Sequence, residues 1–271
     1  MLTFGRGEVF AFDDAARRLV ALDSRNGAVL WQTGRQGQGP SEFLGVAALL
    51  PDPAGGVAVL DIQNRRLVRV GADGAVAGSI SLAAIGQQPN QICAHRGNRY
   101  LVADVVRPAL REMDAAGELI RERTPLWPEF AGAAGGPPQL LLRNDPAGDR
   151  CAVAVLTGRG FALSSPGRKD IVRPYIEDFE AFGLGPRRTE PEPSFLAVSD
   201  AEIIADTLMV LFVGRTADRY RVVDRYLATT GAYLDSYRLP FPTAEFAAGD
   251  GDLFVVDSSA TKIIALRPRR R

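Results

Sequence analysis

Gly34-Arg35-Gln36-Gly37-Gln38-Gly39-Pro40-Ser41-Glu42-Phe43 sets three glycines ahead of a proline. Glycine-rich stretches cradle phosphates when a strand precedes them and a helix opens immediately after. Here a proline follows, then the apolar stretch from Phe43 to Leu50, so no helix opens and the nucleotide reading falls away. What remains for the backbone amides beside Arg35 is at most a minor anion contact. The alternative is architectural, and it requires the motif to recur. It does: Pro242-Thr243-Ala244-Glu245-Phe246 repeats its end, and Pro193-Ser194-Phe195 is a shorter echo.

Working outward, Pro40, Pro89, Pro138, Pro193 and Pro242 fall roughly fifty residues apart, each shortly before an apolar run. A second marker keeps the same beat. The segments VFAFDDAARRLVALD, VAVLDIQNRRLVRVG, YLVADVVRPALREMD and LFVVDSSATKIIALR align on Asp13, Asp61, Asp104 and Asp257. A new apolar alternation follows each aspartate, at Leu19, Leu67, Leu110 and Ile263. CAVAVLTGRGFALSS and LMVLFVGRTADRYRVV carry the pattern in degraded form, which makes six copies.

Within a copy the runs are short, β-branched and bounded by Gly, Asp or Asn, the signature of strands. Turns at Gly27, Gly74, Gly117, Gly167 and Gly231 close hairpins that need a positive φ. No helix-length segment of 3.6 periodicity stands out. Each copy reads as four antiparallel strands, and six such sheets bury both their faces only by closing a ring. The chain is therefore all-β, a single six-bladed β-propeller over 1–271 with blades at approximately 1–34, 41–83, 90–125, 139–175, 194–239 and 243–267.

The Gly34–Phe43 linker resembles that of the bacterial six-bladed propellers with NHL- and TolB-like repeats, and the resemblance extends over essentially the whole chain. Aligning Asp13 with Asp257 starts the chain on the first inner strand and ends it on the third strand of blade six. The sixth blade is expected to lack its outer strand, leaving residues 262–266 as an edge prone to self-association. The natural chain is then expected to be longer at its N-terminus. Relatives of this kind often carry an export signal there, which implies an extracytoplasmic or periplasmic place.

Composition narrows the function. Lys plus Arg equals Asp plus Glu at 32 each, without the basic footprint of a nucleic-acid binder. No apolar run reaches the roughly 20 residues of a membrane span. Met1 to Glu8 lacks the basic start and apolar centre of a signal peptide. One histidine, His95, excludes any site that needs two imidazoles. Cys93 and Cys151 cannot form a disulfide framework; one bridge between them stays open, but both lie in apolar runs, where buried free thiols are expected.

Strand order places the inter-blade linkers and the second-to-third turns on one face, called upper here, and His95 near the lower. The repeated aspartates are expected to cap their turns rather than ring a cation. Trp31 is expected to pack in the core. The connections after blades three and four, Leu126–Pro138 and Ile176–Pro193, are long and carry Trp127, Phe130, Phe179, Phe182, Arg187 and Arg188, with Tyr175 at the edge. Aromatics and arginines on scaffold loops suit a binding surface for a protein, peptide or small ligand. With Arg35, these residues form the expected site of a non-catalytic binding scaffold that needs no cofactor. The alternative is a propeller hydrolase, lactonase or lyase with calcium at the channel mouth, resembling the calcium-dependent lactonases. Its oxygen donors would come from Glu42, Asn90, Gln91, Asn144, Asp200 and Glu245.

Overall fold

The structure is a computed structural model. It describes all residues except 53–54, 86–87, 96–98, 105–108, 124–138, 146–149, 157–159, 166, 177–196, 214–217, 258, 260–261 and 268–271.

Blade one comprises β1 (Leu2–Gly5), β2 (Glu8–Asp13), β3 (Arg18–Asp23) and β4 (Val29–Thr33). Blade two has β5 (Val46–Pro51), β6 (Val57–Asp61), β7 (Arg66–Val70) and β8 (Val76–Ser81). Blade three has β9 (Pro89–His95), β10 (Arg99–Asp104), β11 (Leu110–Met113) and β12 (Leu119–Arg123). Blade four has β13 (Leu140–Asn144), β14 (Cys151–Val155), β15 (Gly160–Ser164) and β16 (Ile171–Pro174). Blade five has β17 (Val198–Ile204), β18 (Thr207–Phe212), β19 (Val222–Leu227) and β20 (Tyr233–Arg238). Blade six has β21 (Phe246–Gly249), β22 (Asp252–Val256) and β23 (Ile263–Leu266). Every sheet is a meander in sequence order, four-stranded in the first five blades and three-stranded in the last.

Turn chemistry sets this meander. Arg6-Gly7 and Asp250-Gly251, at equivalent places between inner and second strands, both hold positive φ at two successive residues (51° and 82°, 53° and 83°). That is the two-residue turn whose twist matches its strands. The hairpin glycines Gly27, Gly74, Gly117, Gly167 and Gly231 all take φ between 71° and 87°, as their turns require.

Strand alternation then decides the packing. Along β2, Phe10 and Phe12 face blade two while Val9 and Ala11 face blade six. Both faces of a blade are thus apolar, and each gap between consecutive blades is filled by its own cluster. The inner strands touch in cyclic order, β1 against β5 and so on to β21 against β1. At the closure Phe4 stacks on Phe254 with centroids 5.8 Å apart. Gly249 permits this approach, since a Cβ there would lie 2.0 Å from the Phe4 ring. Trp31 packs as expected, 5.9 Å from Phe10 and over Gly74 of the next blade.

The expectation of free thiols is overturned. Cys93 of β9 and Cys151 of β14 form a disulfide between blades three and four, with Cα atoms 6.0 Å apart. Both are fully buried, as their apolar flanks required. Those flanks could not show that the two strands face one another across a blade gap. Closing a loop over a separation of 58 residues stabilises the fold by roughly 2–4 kcal/mol.

Candidate functional site

The opening motif is a clasp. Glu42 folds back so that Oε2 accepts the Gly39 amide at 2.8 Å and Oε1 accepts Arg35 Nε at 2.7 Å. These bonds hold the Glu42 carboxyl below its ordinary range, the Gly39 amide first and Arg35 second. Asn64 and Arg66 of blade two donate to the Gly37 and Gly39 carbonyls at 3.0 and 2.7 Å, and Arg66 also to the Glu42 carbonyl at 2.7 Å. Gly37 takes a φ of 152°, and a Cβ there would stand 2.1 Å from Glu42 Oε2 and press it out of the clasp. Phe43 anchors the clasp, fully buried and edge-on to Phe12 at 5.7 Å. The Gly37 and Gly39 amides are engaged within the linker itself. Arg35 is exposed but already paired with Glu42.

The repeated aspartates take structural positions. Asp13 caps its turn through the Ala15 and Ala16 amides, both at 3.0 Å, and Asp257 accepts the Lys262 amide at 3.0 Å. Asp61, fully buried, instead accepts Gly45 N at 3.0 Å and Asn64 Nδ2 at 2.6 Å. It ties down the incoming linker as well as its own turn. Asp104 accepts Arg111 Nη1 at 2.9 Å and the Gln88 amide at 3.5 Å.

Of the expected partner-binding residues, Trp127, Phe130, Phe179, Phe182, Arg187 and Arg188 lie outside the described residues. Tyr175 is a correction, since it belongs to the core rather than to the surface. It is 4% exposed, packs on Phe161 and Phe212, and donates its hydroxyl proton to the Val155 carbonyl at 3.1 Å. Its neighbour Ile176 is 54% exposed, with its amide held by Tyr226 Oη at 3.0 Å. Ile176 is therefore fixed to blade five. Arg123 is fixed too, by Asp170 at 2.6 Å and Ser164 at 2.9 Å.

A cluster of buried charge lies on the inner strands of blades four and five. Arg143 of β13 reaches Asp200 of β17, Nη2 to Oδ1 at 2.6 Å, and lies 3.8 Å from Glu202. Gln91 of β9 stands 3.4 Å from Arg143 Nη1. The second oxygen of Asp200 accepts the Phe246 amide of β21 at 2.9 Å. Glu202 is only 6% exposed, and Oε1 makes no hydrogen bond. Burial pushes its carboxyl up to about 8, Arg143 opposing and Asp200 reinforcing the rise. Glu202 thus holds its proton well above the ordinary carboxylate range, beside a fixed cation. Such a group can donate a hydrogen bond or move a proton.

Gln91 and Asp200 were legible as inner-strand donors, whereas Arg143 and Glu202 were missed. The available signal was charge inside apolar strands: Arg143 interrupts LLLRN, and Asp200 and Glu202 stand two apart in VSDAEII.

No protein-family model and no curated protein matches the chain. Solved structures do. Virginiamycin B lyase from Staphylococcus aureus, bound to quinupristin, is similar with a TM-score of 0.58 at 12% identity, covering 96% of this chain and 78% of that one. A Bacteroides fragilis protein assigned as exported gives 0.59 at 11%, covering 94% and 78%. The β-propeller domain of Myceliophteria thermophila Cps50 gives 0.56 at 12%, covering 97% and 80%. Identities this low speak to fold alone, and with the six sheets in a ring they make this chain a six-bladed β-propeller.

Proposed function

We propose that the chain is a non-catalytic binding propeller of the NHL- and TolB-like kind, seating a peptide, protein or small ligand on its upper face. The observation that carries this is the inequality of the inter-blade connections. Residues 82–88 and 239–245 suffice to join blades two to three and five to six, yet β12 ends at Arg123 and β13 begins at Leu140. Likewise β16 ends at Pro174 and β17 begins at Val198. The described residues that flank these connections, Arg123 and Ile176, are held by Asp170 and Tyr226. Long loops on a rigid scaffold carry function more often than the scaffold does. Trp127, Phe130, Phe179, Phe182, Arg187 and Arg188 supply the contacts, and Arg35 borders the same face. The disulfide supports an oxidising, extracytoplasmic compartment for this work.

Selection of a displayed peptide library against the whole chain tests the reading. Selected peptides should lose affinity at least tenfold for Trp127→Ala and Phe179→Ala while thermal stability stays within a few degrees. Peptides that bind these variants unchanged, or a large fall in melting temperature, would show the aromatics to be plugs.

A second reading, a propeller lyase or hydrolase, rests on Glu202, whose retained proton beside Arg143 gives the axis an acid. Calcium at the channel mouth belongs to that reading. Saturable calcium binding by calorimetry, abolished by Glu245→Gln, would favour it over the first.

A further inference from the structure

Cys93 Sγ, Cys151 Sγ and a ring nitrogen of His95 lie within 4.8 Å of one another, all three residues buried. His95 ends β9, two positions beyond Cys93. The two therefore share a strand face and point into the same blade gap. On its other side His95 lines a lower-face pocket of about 70 Å³ with Leu50, Asp52, Arg69, Arg99 and Tyr100. The pocket has room for a few waters beside His95.

We infer that reduction converts this disulfide into a binding site for one Cu⁺ ion, held by the Cys93 and Cys151 thiolates and the neutral His95 imidazole. An external dithiol supplies two electrons and two protons, becoming a disulfide itself while the Cys93–Cys151 bond opens to two thiols. Binding of Cu⁺ then displaces both thiol protons to solvent, and the metal does not change oxidation state. Two sulfurs and one nitrogen are soft donors of the kind that select Cu⁺ or Zn²⁺. Zinc completes four ligands, whereas Cu⁺ is content with three. Leu101, Leu140 and Val153 wall the gap with apolar side chains, and the Ala94 carbonyl, 3.7 and 3.8 Å from the two sulfurs, is a hard donor poorly matched to soft Cu⁺. The site lies in the gap between blades three and four and is independent of the upper-face reading.

The whole chain, oxidised or reduced with a phosphine and then cleared of it, should be titrated anaerobically with Cu⁺ against a chromogenic chelator. The reduced protein should take one equivalent and the oxidised protein none. X-ray absorption should show two sulfur neighbours and one nitrogen. His95→Ala should keep its melting temperature yet bind roughly 100-fold more weakly and lose the nitrogen neighbour. Uptake that ignores reduction, no uptake on reduction, or unaltered binding by His95→Ala would each overturn the assignment.

Discussion

Asp200 joins three blades with one carboxylate: Oδ1 holds Arg143 of blade four at 2.6 Å and Oδ2 holds the Phe246 amide of blade six at 2.9 Å. The residue itself belongs to blade five and is 2% exposed. Removing one partner of a buried ion pair strands the other charge, at a cost of about 3–5 kcal/mol. Asp200→Ala should therefore lower unfolding stability by that order. Pairing it with Arg143→Met should recover much of the loss, because the uncompensated cation goes with it. Urea unfolding of the four variants in a double-mutant cycle measures this, and strictly additive losses would refute it.

Glu202 supplies a pH signature. The folded carboxyl keeps its proton to about pH 8, whereas its ordinary value is 4.5. Between those limits the unfolded chain binds fewer protons than the folded one, so stability falls as pH rises. The contribution is fully present below pH 4.5 and is lost through pH 8. Across pH 5 to 8 the wild type should lose on the order of 2–4 kcal/mol relative to Glu202→Gln, which is neutral throughout. Parallel stability curves for the two proteins would show that Glu202 is ionised in the fold.

Asp61→Ala should destabilise without touching any binding activity. The carboxylate accepts the Gly45 amide and the Asn64 side chain in full burial, and alanine leaves the Gly45 amide and one N–H of Asn64 without that acceptor. The loss should be about 2 kcal/mol, above that of a simple turn cap, because the incoming linker comes loose as well. Calorimetry on the variant gives the number. Unchanged stability would mean that the recurring aspartate has another purpose.

The ring was readable because its causes are local and repeated. Positive-φ glycines, period-two strands and recurring aspartates each act within a few residues, and six copies let one confirm another. Tyr175 and the two cysteines were misread for the opposite reason. The surroundings of Tyr175 come from Phe161 and Phe212, and those of Cys93 from Cys151 in the next blade. Apolar flanks announce burial but not the partner across the gap. Arg143 escaped for the same cause, since its counter-charge lies on another strand at Asp200.

The edge of blade six gives the last prediction. β23 pairs with β22 from Ile263 to Leu266, and among the described residues no strand pairs with its other side. An unpaired edge offers backbone donors and acceptors to any extended chain. A second copy presents the same edge, so two rings can join by antiparallel pairing of β23 with β23. Ala265 is the exposed residue of the strand, whereas Ile264 and Leu266 face the blade core. Ala265→Lys therefore places charge on the edge at little cost to packing. Sedimentation of the chain should show mass rising with concentration, and the lysine variant should stay monomeric at the same melting temperature. A wild-type chain that remains monomeric at every concentration would show that the edge does not pair with itself.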